Sequence, residues 1–330
     1  MSMRSLFRNV AIFAFATVFA SSCSIDRMAV RAVADALTSD GGSTVFTGDD
    51  DPELVGDAIP FAIKMYESLL VKAPDHEKLV VATGSMFVMY ANAFVQARAE
   101  TLSQDQFQER KDQLGRAKRL YLRGRSLLAD GLERKYPGFR TASKDGKLVA
   151  LLKKTTKADV PSLYWVAAAS LAAFSLDPFD LQLGVNVPEA KALMARAYEL
   201  DPDFGNGTLD DFYVSFYGAL PSGLGGDRAL AKKHFELALK KTGGKSAGPY
   251  LSYAQAISIP DQDYPGFKKL LDQALAVDVN ADPANRLANI ISQRKARNLL
   301  ATASDLFIDT GDEQPSADEK NESNEGVSTK

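Results

Sequence analysis

In the run "EAKALMARAYELDP", residues 189–202, Ala190, Met194, Ala197 and Pro202 fall at relative positions 0, 4, 7 and 12. Positions 0, 4 and 7 return to one face of an α-helix, so a small, a large and a small side chain line up along a single stripe. The small residues let a neighbouring helix approach, and the large one fills the groove between them. Proline, lacking a backbone N–H, ends the segment. The spacing therefore predicts a helix built to pack closely against other helices.

The second helix of a tetratricopeptide repeat carries this template, and the chain returns to it with losses. "ALAKKHFELALKK" supplies Ala231, Phe235 and Ala238 without the proline, and "FAIKMYESLLVKAP" supplies Ala62, Tyr66 and Pro74 with Leu69 at a small position. "AKRLYLRG" supplies Ala117, Tyr121 and Gly124, and "GFKKLLDQAL" keeps Leu271 and Ala274. Starts at 62, 117, 190, 231 and 267 are separated by 55, 73, 41 and 36 residues, which excludes a strict array. The expected fold is all-α, an irregular tetratricopeptide-like solenoid or bundle of degenerate helix-turn-helix repeats with extra helices between them. Boundaries agree. Asp51 precedes Pro52 and Glu53 as an N-cap should, and Asp227 and Asp282 repeat the pattern. Alternating runs of β-branched residues are nearly absent, so little or no sheet is expected.

The two ends differ from the middle. Arg4 and Arg8 precede an uncharged run from Val10 to Ala20, and Ala20, Ser21 and Ser22 lead into Cys23, the only cysteine of the 330 residues. This order is a secretory signal. With no second cysteine a disulfide is excluded, and a cleavable segment offers no core for a structural thiol. Acylation of Cys23 as a lipoprotein N-terminus is the leading reading, with plain secretion or an uncleaved anchor as the alternatives. Loss of residues 1–22 removes Arg4 and Arg8 and takes the formal charge from -3 to -5. Such a chain has no basic face for nucleic acid. From Asp309 to Lys330 there is one valine and no other large apolar residue, a composition that predicts disorder. "MAVRAVADAL", residues 28–37, has helical spacing that "TSDGGS" is expected to break. The longest later apolar run, "LYWVAAASLAAF" at 163–174, reads as a buried helix rather than a membrane span. The expected organisation is a signal over 1–22, a lipidated N-terminus and spacer over 23–47, a helical domain over 48–308 and an acidic tail over 309–330.

No catalytic constellation assembles. The two histidines are isolated in sequence: His234, beside Phe235, is expected to pack, and His76 to be solvated at a helix start. Neither they nor the lone cysteine make a zinc site. "TGGKS" at 242–246 lacks the first glycine of a nucleotide loop, with Leu239 in its place, and follows a helix; it reads as a helix stop. The acidic turn Asp49, Asp50 and Asp51 lacks the ligand spacing of a calcium loop. The sequence therefore predicts no enzyme, no metal and no cofactor beyond lipid on Cys23. One cluster invites a binding reading. "LDDFYVSFYGALPSGLGG" places Phe212, Tyr213, Phe216 and Tyr217 on adjoining turns, and Tyr164 and Trp165 crowd another helix. Such rows are either core or the wall of a cavity for an apolar or amphipathic ligand.

Two long runs, 45–76 and 225–300, closely resemble the tetratricopeptide-repeat lipoproteins associated with tripartite ATP-independent periplasmic (TRAP) transporters, the T-component family. The resemblance extends over roughly residues 24–308. It implies a helical, periplasm-facing lipoprotein that associates with the transporter's periplasmic substrate-binding protein. It further implies homo-oligomers, with a trimer expected here, and a hydrophobic cavity or pore for fatty-acid-like ligands. In that picture Asp49–Asp51 form a docking edge and Phe212, Tyr213, Phe216, Tyr217, Tyr164 and Trp165 line the cavity. Ser24, following Cys23, favours the outer membrane. The competing reading is a helical scaffold lipoprotein for envelope assembly, which needs no cavity.

Overall fold

In the computed structural model the described residues are 27–310, with the side chains of 40–43 excepted; Cys23, the signal and the tail from 311 lie outside them. Ten principal helices follow one another: α1 Pro52–Lys72, α2 Glu77–Tyr90, α3 Phe107–Lys135, α4 Val160–Leu176, α5 Val187–Leu200, α6 Thr208–Ala219, α7 Arg228–Thr242, α8 Gly248–Tyr253, α9 Tyr264–Leu275 and α10 Arg286–Ala301. Two of them run into π-helical turns, α2 into Ala91–Gln96 and α8 into Ala254–Ser258. Among the described residues there is no strand, as expected for an all-α chain.

Helix ends follow local chemistry. The Asp51 carboxylate accepts hydrogen bonds from the backbone N–H groups of Glu53 and Leu54, and that of Asp227 does the same for Ala229 and Leu230. Asp282 differs from expectation: its side chain makes no cap, because a 3₁₀ turn, Pro283–Asn285, comes between it and α10. At the other end of α7, Gly243 adopts φ 60°, a left-handed C-cap that only glycine takes without strain. "TGGKS" is thus a helix stop.

His76 is not solvated. It is 7% exposed and caps α2, its Nδ1 accepting from Leu79 N–H at 3.1 Å. That bond places the ring proton on Nε2, which lies 3.1 Å from Asp35 Oδ1. The cover comes from a helix over residues 27–37, whose end is held by Tyr66 Oη donating to Leu37 O at 3.1 Å. The break expected across "TSDGGS" is confined to Thr38 and Ser39, and a second helix, Asp40–Thr47, resumes through both glycines.

The recurring template marks the packed faces. Ala62, Tyr66, Ala117, Tyr121, Ala190, Met194, Ala197, Ala231, Ala238, Leu271 and Ala274 are all buried. Gly124 shows why size matters: a Cβ there would come within 2.7 Å of Gly84 O across the α2–α3 crossing. Two helices, Glu77–Ala99 and Lys157–Leu176, are long and apolar enough to cross a membrane, which the shorter apolar run seen in sequence did not suggest. Both pack inside the helical array.

The packing order defines two layers. α2 contacts α4, α4 contacts α6, α6 contacts α8 and α8 contacts α10. The odd-numbered helices lie against these: α3 on α2 and α4, α5 on α4, α7 on α6 and α8, α9 on α8 and α10. α10 then returns to the start. Leu287 is buried in the cluster built by Val55, Ile59, Ile63 and Phe87, with Ile291 against it. Arg294 forms a two-pronged ion pair with Glu53, and Arg286 donates to Gly48 O at 3.1 Å. The exposed ion pair is screened by solvent and contributes little, whereas burying one leucine contributes about 1.5–3 kcal/mol. Apolar contact at Leu287 therefore closes the array more than charge does.

Candidate site inside the helical ring

The aromatic row on α6 divides into two sets. Phe212, Tyr213 and Phe216 are buried in the main core cluster, while Tyr164, Trp165 and Tyr217 are partly buried and pack against that cluster. The α4 pair and the α6 row have separate ring contacts: Tyr164 meets Trp165 and Phe204, at centroid distances of 4.9 and 5.7 Å, whereas Tyr213 on α6 stacks on Tyr217 at 5.2 Å and on His234 at 4.6 Å. His234 does pack, on Tyr198, Tyr213 and Tyr217.

Beside this stack lies a polar centre that sequence reading missed. Asp210 is fully buried and is reached by Tyr198 Oη at 3.0 Å, His234 Nδ1 at 2.8 Å and Lys241 Nζ at 2.8 Å. Burial opposes its ionisation, but the bonds from His234, Lys241 and Tyr198 outweigh that and hold its pKa below the usual carboxylate value. The only local signal was the doubled acid in "LDDFY". This centre contains no nucleophile held against a base, and among the described residues no group of three or more histidine, cysteine or acidic side chains is placed to hold a metal.

Asp211, one residue on, faces a different environment. Burial pushes its pKa up to about 6, partly offset by the Ser252 hydroxyl from α8, and Asp210 pushes it further in the same direction. Its Oδ1 has no hydrogen-bond partner. Tyr164 on α4 is close enough to feel its charge, and burial with that charge raises the phenol pKa. On α10, burial lowers the pKa of Lys295. Yet Tyr164, Asp211, Ser252 and Lys295 all keep accessible surface, and Asn92, which accepts from Lys295 Nζ at 2.7 Å, is exposed. These residues lie on α4, α6, α8, α10 and the turn after α2.

A raised folded-state pKa on Asp211 fixes a sign. The unfolded chain loses this proton near the ordinary carboxylate pKa while the folded chain holds it to about 6, so stability falls as pH rises across that interval. Asp211→Asn is therefore expected to stabilise the fold at pH 8 by roughly 1–3 kcal/mol, with the gain vanishing at pH 4. Urea unfolding of both proteins at the two pH values measures it. An equal effect at both would refute the assignment.

Asp49, half-buried, and Asp50 and Asp51, exposed, occupy the turn ahead of α1. Asp51 is engaged as the cap, and Asp49 Oδ1 accepts from Asp51 N–H at 2.8 Å. The turn lies next to the seam where Arg286 and Arg294 arrive from α10.

The described residues form an all-α array of paired helices in which the last long helix packs back against the first. Residues 48–307 match the family model "TRAP transporter T-component". The chain belongs to that family, whose role is a component of TRAP transport and whose place is with the cell envelope. A relative from Treponema pallidum (strain Nichols), described only as "Uncharacterized protein", is 36% identical over 317 residues, covering 91% of this chain and 98% of its own.

Proposed function

We propose that this chain is a lipid-anchored, periplasm-facing accessory subunit of a TRAP-type transporter. It docks the periplasmic substrate-binding protein and passes a hydrophobic ligand through the inside of its helical ring. The observation that carries the reading is the return of α10 to α1 and α2, with Leu287 buried among α1 residues and Lys295 bonded to Asn92. A scaffold has no need to close on itself, since an open solenoid presents more concave surface to a partner. Cys23 bears the anchor, which several acyl chains would make stable, and the outer membrane is its site. The turn Asp49–Asp51 forms a docking edge, and Tyr164, Trp165 and Tyr217, with Phe212, Tyr213 and Phe216 behind them, form the apolar wall. The subunits assemble as a homo-oligomer, a trimer.

A pull-down of tagged protein from native membranes, with mass spectrometry of polypeptides and extracted lipophiles, tests this. Recovery of a periplasmic solute-binding protein and of an apolar small molecule is the expected result. Envelope-assembly proteins in their place, with no solute-binding protein and no ligand, would leave the scaffold reading.

A further inference from the structure

The helix over residues 27–37 is apolar on two opposite faces, where a surface helix ordinarily has one. Its inner face packs. Ala34 is fully buried and Val30 and Leu37 are half-buried, with Ala34 and Leu37 joining the cluster built by Val55, Ile59 and Tyr66 of α1. On the outer side Met28, Ala29, Ala32, Val33 and Ala36 fall on one helical stripe, and all five are exposed. Met28 is 65% and Val33 48% exposed. No charged or polar residue falls within that stripe.

The charged residues are confined to one flank. Arg27, Arg31 and Asp35 are four positions apart and run along the helix between its two faces. Arg31 Nη2 donates to Asp75 Oδ2 at 2.6 Å, and Asp35 Oδ1 lies 3.1 Å from His76 Nε2. With Tyr66 Oη donating to Leu37 O, these bonds fix the helix in rotation, so its outer face cannot turn inward. A stripe of this kind meets water at a cost unless something apolar covers it.

The length of chain ahead of the helix says what the cover is. Only Ser24, Ile25 and Asp26 separate Cys23 from Arg27. Four peptide steps reach at most about 14 Å, so acyl chains on Cys23 hold the start of this helix beside the lipid head groups. At such proximity a weak apolar contact is enough, because it is made within one tethered molecule. A second copy or a soluble partner has no comparable tether.

We propose that Met28, Ala29, Ala32, Val33 and Ala36 lie against the bilayer that holds Cys23, as a second attachment that sets the orientation of the protein on the membrane. This rests on the lipid anchor proposed above and names the surface that the anchor brings to the lipid. Arg27 and Arg31 on the flank suit an interfacial helix. The end of α1 and the start of α2, tied to the helix through Asp75 and His76, then face the membrane.

Once Cys23 is acylated, an introduced cysteine is the only free thiol. Full-length acylated protein carrying Ala29→Cys, Val33→Cys or, on exposed α7, Lys233→Cys is labelled with an environment-sensitive fluorophore and reconstituted into vesicles of phosphatidylethanolamine and phosphatidylglycerol. Lipids bearing a nitroxide near the head group should quench the labels at 29 and 33 at least about threefold more than the label at 233. Adding Val33→Asp should cut the quenching at 29 by about half or more, with helical circular dichroism unchanged. Equal quenching at 33 and 233 in vesicle-bound protein would overturn the proposal. So would labels at 29 and 33 that are shielded from water but not quenched, with shielding that grows with protein density, since a second copy would then be the cover. If wild type does not bind vesicles and mass spectrometry finds no acyl group on Cys23, the anchor itself fails, and this surface with it.

Discussion

Asp210→Ala is expected to lower the unfolding free energy by about 3–5 kcal/mol, because it removes the common partner of three groups and leaves a cation behind. Lys241 and His234 are 18% and 12% exposed, so neither is free to recover full hydration when the carboxylate is lost. Tyr198 loses the acceptor for its hydroxyl as well. Asp210→Asn keeps an acceptor for Tyr198 and should cost less. The effect has a defined pH dependence. The folded pKa of Asp210 lies below its ordinary value, so its contribution is present in full above that value and is lost as pH falls through the folded one. Urea unfolding followed by helical circular dichroism at pH 7 and pH 3 should show a large gap between wild type and Asp210→Ala that narrows in acid. A gap under about 1 kcal/mol at neutral pH would mean that the centre is already hydrated.

Phe216→Ala should be similarly damaging, at about 3–5 kcal/mol. Its ring is fully buried, stacked on Phe212 at 6.1 Å and edge-on to Tyr217 at 5.3 Å, with Lys191 Nζ 6.0 Å from its centroid. Deleting it opens a cavity between α6 and its neighbours that a rigid helical array fills poorly. The measurement is the midpoint shift in urea at constant slope. A shift worth less than about 1.5 kcal/mol would show that α6 collapses onto the gap. Loss of ligand by this variant would report on folding as much as on binding, so variants of the partly buried Tyr164 and Trp165 are the cleaner probes of the proposed ligand wall.

Much of the architecture could be read from short stretches. The spacing of Ala190, Met194 and Ala197, and its weaker copies, identified the faces that other helices cover, since a helix records its buried stripe every three to four residues. Asp51 and Asp227 announced helix starts because a cap is a contact between residues two or three apart. The same locality explains the failures. His76 looked solvated because the helix that buries it, over residues 27–37, is remote in sequence and supplies Asp35 from 41 positions away. Asp282 looked like a cap because the rule does not tell an α-helix from a 3₁₀ turn. The aromatics of "DFYVSFY" could be recognised as a cluster, but which of them are core could not, because that depends on what α4, α5 and α7 place against them.

The surroundings of Lys295 lie at the far end of this scale. In "SQRKARN" nothing separates Lys295 from Arg294, yet one bonds Asn92 and the other Glu53. The turn of a helix between adjacent residues, about 100°, is what sends them to different surroundings. By itself the amino-acid sequence determined an all-helical chain, the positions of its close-packed stripes and several of its helix ends, because these are written in contacts within a few residues. The return of α10 to α1, burial of Asp210 and the bond from Lys295 to Asn92 were decided by the tertiary structure. They depend on pairs such as Glu53 and Arg294, 241 positions apart, and no periodicity in a single segment specifies which surface a distant helix will meet.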